Sequence, residues 1–573
     1  MSADEAVDVR LVPAALAVWA TAALVTGAPA GVLVVGAVVA GLVAVAVLVR
    51  LSRDDRRPAT VRVPDVEDRA AVRAPRRVPE RVAVRAQAGL ALGAVTVLLL
   101  VTAAQVHDRE AGEVRALAED RARVQLVGTV RSTPQAPGGP AGSRVVRFLL
   151  AATSVEVLGA GDAHGPTPTG AAVEVYAPAT ASHLAYGTVV AVDARLSPIA
   201  DTSRRVLARA RTADDPAVRA PPAALLRAAD GLRTGLVATA DAVPGDAGRL
   251  LPAVAVGDTR GVGDLDEAMR VSGLAHITAV SGAHFSILGA VVLAVVTRCG
   301  VPRRWRWLPL VVVLGGFVAV VQPGSSVVRA AVMGGVGVLG IVAGRPARSV
   351  PGLACAVLVL VVVDPWLARD VGFVLSVVAT AGIALLAGPL ARRWSAPPDG
   401  IGGVVARGAG RARDRARAGD PGPGRVGQAR AGRAPQHPRP GDDPRPAAGP
   451  VATAFAVPVA AQAACAPVLL VLTPAVPVYA VLANVVAAPA VAPATVGGLL
   501  AALLGTWWPA AATWCAQAAG GACWWLATVA RTAAGLPGAQ VAWAGGPLGQ
   551  VLLACACGAA LVLVLRCRRA VGP

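Results

Sequence analysis

Two histidines, three serines and three glycines lie within one apolar stretch of membrane-crossing length, residues 272–292. Imidazole and hydroxyl groups cost several kcal/mol inside a bilayer unless another group satisfies them, so these side chains need a role. One interpretation is helix packing, in which Gly282 admits a neighbouring helix and the His and Ser side chains bond to backbone carbonyls. The other is a transport pathway, because ionisable residues within membrane spans usually mark function.

Polar side chains recur in later apolar stretches and supply the hydrogen-bond donors that the passage of a polyanion would require. Arg329 is the strongest electrostatic signal, because a buried guanidinium is costly and its fork of donors suits phosphate. The alternative for Arg329 is a structural ion pair with Asp364 or Asp370. The pathway candidates are His276, Ser281, Gly282, His284, Ser286, Arg329, Ser376, Gln462 and Asn484.

Three further residues are predicted to shape the backbone. Asp258 and Asp364 are expected to cap helix starts, where a carboxylate accepts backbone N–H bonds. Pro489 is expected to interrupt a helix at residues 485–489, and Ser281 with Gly282 forms a second expected interruption. Interrupted helices expose N–H and C=O groups to a cavity, whereas unbroken helices do not.

The elements that must position these residues are membrane helices. Hydrophobic residues make up 55% of the chain and the mean hydropathy is +0.60, whereas soluble domains are roughly 45–50% apolar. Apolar stretches of spanning length predict about ten transmembrane helices. The net charge of +19 comes from arginine, because the chain contains no lysine. Placing the arginine clusters in the cytoplasm gives a nearly self-consistent topology. The clusters are at residues 50–85, 298–306, 345–348, 392–445 and 566–569.

Residues 107–215 differ from their surroundings, since they are charged, rich in Gly and Pro, and alternate with a period of two. Five short strands are predicted, at residues 124–130, 144–150, 172–176, 188–196 and 205–210. This pattern suits a small all-β barrel of the OB type outside the membrane, and such barrels commonly bind oligonucleotides. A single-strand binder should carry stacking aromatics, yet the segment offers only Phe148, Tyr176 and Tyr186. A structural or assembly role therefore stands beside nucleic-acid binding.

The chain is thus predicted to be a polytopic α-helical membrane protein with an inserted small all-β domain. Residues 395–450 are rich in Arg, Gly and Pro without apolar periodicity, which indicates either a solvated cytoplasmic loop or a segment read from a shifted frame. The expected parts are N-terminal helices with an Arg-rich loop (1–106), the β domain (107–215), an interfacial helical segment (216–275), a helical bundle in two parts (276–394 and 451–573), and the loop between them (395–450).

This order of elements, together with four motifs, resembles the ComEC family of competence DNA-uptake channels. Departures include Val374, which stands where the family usually has glutamine, and Ala283, where a larger apolar residue is common. The motifs are GD at 257–258 with GLAH at 273–276 and AVSGAH at 279–284; SSVVRAAVM at 325–333; DP at 364–365 with GFVLS at 372–376 and AT at 379–380; and a stretch containing Gln462, Pro467, Pro474, Tyr479, Asn484 and Pro489.

The resemblance implies a multi-pass channel in the cytoplasmic membrane that carries single-stranded DNA during natural transformation. It also implies a competence DNA receptor and a cytoplasmic motor or helicase as partners, and a homo-oligomer is compatible with it. Many members carry a metallo-β-lactamase-like domain with an HxHxDH cluster, and nothing here matches that cluster, so no metal, cofactor or enzymatic activity is expected.

Two other functions fit parts of the sequence. Polar residues on broken helices equally suit a secondary transporter for a small solute, and the chain would also fit an inactive, truncated channel homologue. A membrane-embedded hydrolase is disfavoured because no base and orienting carboxylate accompany Ser281 at a readable spacing. No GxxxxGK[ST] loop is present, so the driving force for transport must come from a partner or a membrane gradient.

Overall fold

The computed structural model describes residues 8–55, 80–110, 113–136, 145–158, 165–201, 205–322, 324–342, 349–395 and 449–566. These residues form two compact units. The larger unit contains Asp8–Val377 and Ala475–Ala542, and the smaller one contains the described residues from 378 to 474 and from 543 onward. The predicted Arg-rich loop at 395–450 lies almost entirely outside the described residues.

The larger unit begins with a helix of 14 residues, two long helices and a short fourth helix. These are α1 (Val12–Val25), α2 (Ala30–Asp55), α3 (Glu80–Glu110) and α4 (Val114–Glu119). The indole N–H of Trp19 on α1 donates to the carbonyl of Ala368 at 2.9 Å, and the guanidinium of Arg369 donates to the carbonyl of Ala23 at 2.7 Å. These reciprocal bonds attach α1 to the segment that carries Asp364.

Seven strands follow in the β domain. They are β1 (Arg123–Val130), β2 (Val145–Val157), β3 (Thr167–Pro168), β4 (Ala172–Pro178), β5 (Val189–Pro198), β6 (Val206–Arg211) and β7 (Ala217–Ala220). β1 pairs with β2 and β5, β2 with β4, and β6 with β4 and β5, so five strands close into a ring. The pairing of β4 with β6 is parallel and the others in the ring are antiparallel.

The interior of this ring is apolar because burial alternates along β1, β2 and β4 with the period of the pleat. Phe148, Leu126 and Leu196 are among its fully buried side chains. Gly128 lies at a bulge where a Cβ would stand 2.4 Å from the carbonyl oxygen of Ala151, so this position requires glycine. All five predicted strands are present, and β2 extends beyond its predicted end as far as Val157.

Helices account for most of the rest of the chain. They are α5 (Ala224–Ala240), α6 (Gly245–Val256), α7 (Leu265–Val271), α8 (Ala275–Thr278), α9 (Gly282–Arg298), α10 (Trp307–Val321), α11 (Ser325–Val342), α12 (Ser349–Val363), α13 (Val371–Gly382), α14 (Gly388–Ser395), α15 (Pro450–Leu469), α16 (Ala480–Leu504), α17 (Pro509–Gly535) and α18 (Gly546–Arg566), with the short strands β8 (Ala475–Pro477) and β9 (Gln540–Ala542) paired around α16 and α17.

α6 lies in the core of the larger unit, packed against α16 and α17. Close approach depends on small residues, since a Cβ on Gly498 would lie 2.5 Å from that of Ala255, and one on Gly520 would lie 2.6 Å from Val243. The sequence predicted an interfacial segment at 216–275. Within that segment, nine of the twelve residues of α6 are buried by protein.

α16 runs unbroken through Pro489, so the interruption predicted at residues 485–489 is absent. A proline inside a helix disturbs the carbonyls one turn earlier. Here the indole N–H of Trp525 on α17 donates to the carbonyl of Val486 at 2.9 Å. A neighbouring helix thus hydrogen-bonds α16 one residue from Val485, whose carbonyl loses its helical donor at Pro489.

Among the described residues, seven helices are long and apolar enough to cross a membrane. Four further apolar helices are shorter, at Val12–Val25, Gly282–Arg298, Ser326–Leu339 and Ser349–Val363. The chain is therefore a mostly helical membrane protein with a β-sheet domain inserted toward its N-terminus. In the smaller unit, α14, α15 and α18 pack around Leu390, Ala456 and Ala460.

Candidate functional site

A cleft of about 650 Å³ lies between the β domain and the helices within the larger unit. The β domain contributes mainly polar side chains to its wall, including Arg131, Ser132, Thr133, Gln135, Tyr186 and the ion pair of Arg147 with Glu174. The helical side contributes Arg233, Gly257, Thr259, Thr278, Ala279, Val280, Gln322, Ser326 and Gly372.

Three of the four motif segments identified in the sequence meet at this cleft. Gly257 and residues 278–280 come from the first motif, Ser326 from the second and Gly372 from the third. The motif that contains Asn484 contributes no lining residue among those described. Segments distant in sequence are therefore brought to one polar cavity, and the β domain supplies the opposite wall.

Among the described residues, one polar contact in the cleft lining and one outside it join the β domain to the helices. The hydroxyl of Thr133 donates to the side-chain oxygen of Gln322 at 2.5 Å. Gln322 has a φ of 69°, a backbone conformation that costs a non-glycine residue about 1–3 kcal/mol. The guanidinium of Arg205 donates to the carboxylate of Asp364 at 2.7 Å.

Asp364 therefore has a different role from the predicted helix cap. It stands at the start of a short 3₁₀ helix, Pro365–Arg369, but its side chain makes no capping hydrogen bond. The carboxylate points instead to Arg205 of the β domain. Burial raises the pKa of Asp364, while the charge of Arg205 opposes that rise.

Below the cleft, Arg233 is a buried arginine that binds two helix ends. Its side chain is on α5 and only 3% of the residue is exposed. One guanidinium nitrogen, Nη1, donates to the carbonyls of Val256 at 2.9 Å and Val320 at 3.0 Å. The second nitrogen, Nη2, lies 3.6 Å from the carboxylate of Asp258. Val256 and Val320 belong to the last turns of α6 and α10, where carbonyls otherwise lack partners.

Asp258 completes this cluster between two arginines. Arg260 donates to its two carboxylate oxygens at 2.9 and 2.5 Å. Burial pushes the pKa of Asp258 upward, but the hydrogen bonds and charge of Arg260 outweigh this and hold it below its ordinary value. Asp258 follows Gly257, which ends α6 with a φ of 72°. It therefore lies beyond a helix C-terminus rather than capping an N-terminus as the sequence suggested.

The histidine segment is interrupted where the sequence predicted. α8 ends at Thr278, and α9 begins at Gly282 after the extended Ser281. The backbone N–H of Ser281 donates to Nδ1 of His284 at 3.1 Å, and the Ser281 hydroxyl lies 3.3 Å from the same nitrogen. These contacts between Ser281 and His284 close the first turn of α9. His284 is 1% exposed, whereas His276 is exposed on α8.

The other pathway candidates are spread over several helices. Arg329 is buried on α11 with Nη1 3.4 Å from the sulfur of Met333. The carboxylates considered as its partners have other contacts, Asp364 with Arg205 and Asp370 with the N–H of Phe373 at 2.7 Å.

Ser286 is exposed on α9, where its hydroxyl donates to the carbonyl of Gly282 at 3.0 Å. Three further candidates and one backbone residue complete the set. Ser376 is half-buried on α13, and the amide of Asn484 donates to the carbonyl of Ala480 at 2.8 Å within α16, which also carries the exposed Pro489. Gln462 is half-buried on α15 in the smaller unit. Thus the motif segments reach the cleft through neighbours of the predicted residues, such as Thr278 and Ser326.

Within the described ranges, no group of three or more His, Cys, Asp or Glu side chains could hold a metal ion. The residues that sequence reasoning missed are Arg233 and the polar wall of the β domain. Arg233 had a readable signal, because Ala229, Arg233, Leu236 and Ala240 form a buried stripe at helical spacing. An arginine in an apolar stripe indicates a buried, satisfied charge.

Comparison with known families shows that residues 255–569 match the family described as Competence protein. ComE operon protein 3 of Bacillus subtilis is 30% identical over 144 residues, which cover 25% of this chain and 19% of that relative. The match thus spans about a fifth of the relative's length. No solved structure was found to match.

Proposed function

We propose that this chain, which belongs to the competence protein family, is a channel that carries single-stranded DNA across the cytoplasmic membrane during natural transformation. The observation that carries the proposal is the cleft where three motif segments face a polar wall of the β domain. A polyanion needs space for water, hydrogen-bond donors and positive charge along its path, and the volume and the polar, arginine-bearing lining of this cleft suit that need. The channel acts without enzymatic chemistry or a cofactor.

The β domain is proposed to be an OB-type barrel that receives the DNA. Its five-stranded ring, with β4 and β6 parallel, supports this assignment. OB domains bind oligonucleotides partly through the loop between their first two strands. That loop begins at Arg131, which is exposed in the cleft wall, and the half-buried Tyr186 belongs to the same wall. Arginine would contact phosphate, and tyrosine would stack on a base.

The membrane topology is proposed to include about ten crossings, with the β domain outside and the arginine clusters inside. The seven long apolar helices and the four shorter ones support a number in this range. A DNA receptor would deliver the strand to the β domain, a cytoplasmic motor or helicase would draw it inward, and the chain would act alone or as a homo-oligomer in the bilayer.

The proposed path continues from the cleft along the motif segments. His276, Ser281, Gly282 and His284 lie in the segment that reaches the cleft at Thr278. Arg329 and Ser376 follow Ser326 and Gly372 on their own helices, and Gln462 and Asn484 remain candidates from the fourth motif.

The test is complementation of a transformable host whose own channel gene is deleted. The chain should restore uptake of labelled DNA into the cytoplasm. Arg131→Gln should lower uptake, whereas the matched control Arg219→Gln, on exposed β7 outside the cleft lining, should not. No uptake at normal membrane levels would favour an inactive homologue, and accumulation of a small solute instead would favour a secondary transporter.

A further inference from the structure

Two helices end at the cleft with their negative poles toward it. α6 ends at Val256 and α10 at Val321, and the residues that follow them, Gly257 and Gln322, both line the cavity. The last carbonyls of a helix lack intrahelical partners and carry roughly half a negative charge. Two such ends would repel a phosphate backbone that lay against them.

Arg233 lies where the two ends meet. Its Nη1 is within 3.4 Å of three carbonyl oxygens, those of Val256, Val320 and Val321, and so joins both helix ends through one group. The guanidinium belongs to the cleft wall although it is almost inaccessible to water. A charge in this position is weakly screened by salt and acts on the cavity beside it.

The neighbouring charges balance one another. Asp258 contacts both Arg233 and Arg260, and Asp230 on α5 also acts electrostatically on both arginines, so the four side chains together carry no net charge. Arg260 is the more exposed of the two arginines and makes no contact with the helix ends among its described bonds. The charge that faces the carbonyls is therefore that of Arg233.

We propose that Arg233 is the positioning residue that makes the cleft floor compatible with DNA, because its charge offsets the negative poles at the ends of α6 and α10. This inference rests on the proposed function. It assigns to a residue outside the matched family region the task of allowing phosphates to lie against two helix C-termini.

The test uses the full chain in lipid nanodiscs and the binding of a fluorescent oligothymidylate. Arg233→Gln removes the positive charge. Arg233→Lys keeps the charge but lacks the forked donors of the guanidinium. The double variant, Arg233→Gln with Asp258→Asn, restores the original net charge of the cluster. Arg260→Gln is the matched control, since it removes an equal charge from a more exposed position. Thermal unfolding of each variant reports structural damage separately.

Arg233→Gln should weaken oligothymidylate binding about tenfold, because a full charge is lost in a poorly screened position. Arg233→Lys should stay within about threefold of the original affinity, the double variant should regain most of the loss, and Arg260→Gln should have the smaller effect. A merely structural role would make the double variant bind no better than Arg233→Gln.

Binding that is unchanged in Arg233→Gln, or equally lost in Arg233→Lys at unchanged thermal stability, would overturn the electrostatic role. If the original chain itself binds no oligothymidylate and restores no uptake, the proposed function fails instead, so the two failures are distinguishable.

Discussion

The two walls of the cleft differ in whether their charged side chains are exposed or buried. The β domain keeps an apolar interior around Phe148, and its cleft-facing Arg131 is exposed to solvent. The helical side instead buries Arg233 and Asp258, whose charges are satisfied by helix-end carbonyls, by each other and by the guanidinium of Arg260.

This difference separates binding from folding. An exposed charge contributes little to stability, so its placement is free to serve a ligand. A buried charge must be compensated, and removing its partner costs folding free energy whatever its functional role. Substitutions of buried charges on the helical wall should therefore lower the free energy of unfolding, whatever they do to DNA binding. Substitutions of exposed residues on the β wall should weaken DNA binding without changing the free energy of unfolding.

The largest expected effect is from Asp258→Ala. It leaves the guanidinium of Arg233 buried without its carboxylate, and breaking such a pair costs about 3–5 kcal/mol. Denaturant unfolding in detergent and the amount of protein in the membrane would measure the loss. Glu267→Ala is the control, because Glu267 pairs with Arg270 at the surface, where a pair contributes about 0–1 kcal/mol. Equal losses in the two variants would break the comparison.

A second prediction separates two glycines of the same motif. Gly273 has a φ of 76°, and a Cβ there would lie 2.6 Å from that of Ala480. Gly273→Ala should therefore destabilise the protein by about 1–3 kcal/mol, through strain and overpacking. Gly282 begins α9 with no atom within 4 Å of an added Cβ, so Gly282→Ala should leave stability within about 0.5 kcal/mol. Thermal shifts would decide, and the opposite order would contradict this packing.

Sequence patterns predicted the membrane helices, the five strands and the interruption before Gly282, because each depends on local periodicity or on local turn chemistry. They did not predict the burial of α6, since small apolar residues suit both an interface and a core. They also misjudged Asp258 and Asp364. Which arginine reaches a carboxylate depends on tertiary placement, and Arg233 and Arg205 come from distant segments.

The third prediction tests the β wall. Tyr186→Leu should lower affinity for oligothymidylate by about 1–2 kcal/mol, because base stacking on an aromatic ring contributes about that much. Tyr176→Leu is the control, since Tyr176 is also half-buried but bonds Glu174 and does not line the cleft. Both variants should unfold like the original chain to within about 1 kcal/mol. A loss of affinity that is the same in both would remove Tyr186 from the binding site.

The smallest effect is expected at a contact between the β domain and the helices that lies outside the cleft lining. There Arg205 and Asp364 form an ion pair whose side chains are 61% and 20% exposed. Such a pair contributes at most about 1 kcal/mol, so Arg205→Gln should scarcely change the unfolding midpoint. Any change it does cause should vanish in about 1 M salt, where the screening length falls to roughly 3 Å. DNA uptake should decline only if the β domain must stay fixed to the helices. Normal stability with reduced uptake would therefore show that this contact serves DNA uptake. A large loss of stability would show that the β domain and the helices fold as one unit, and would contradict the difference between the two walls.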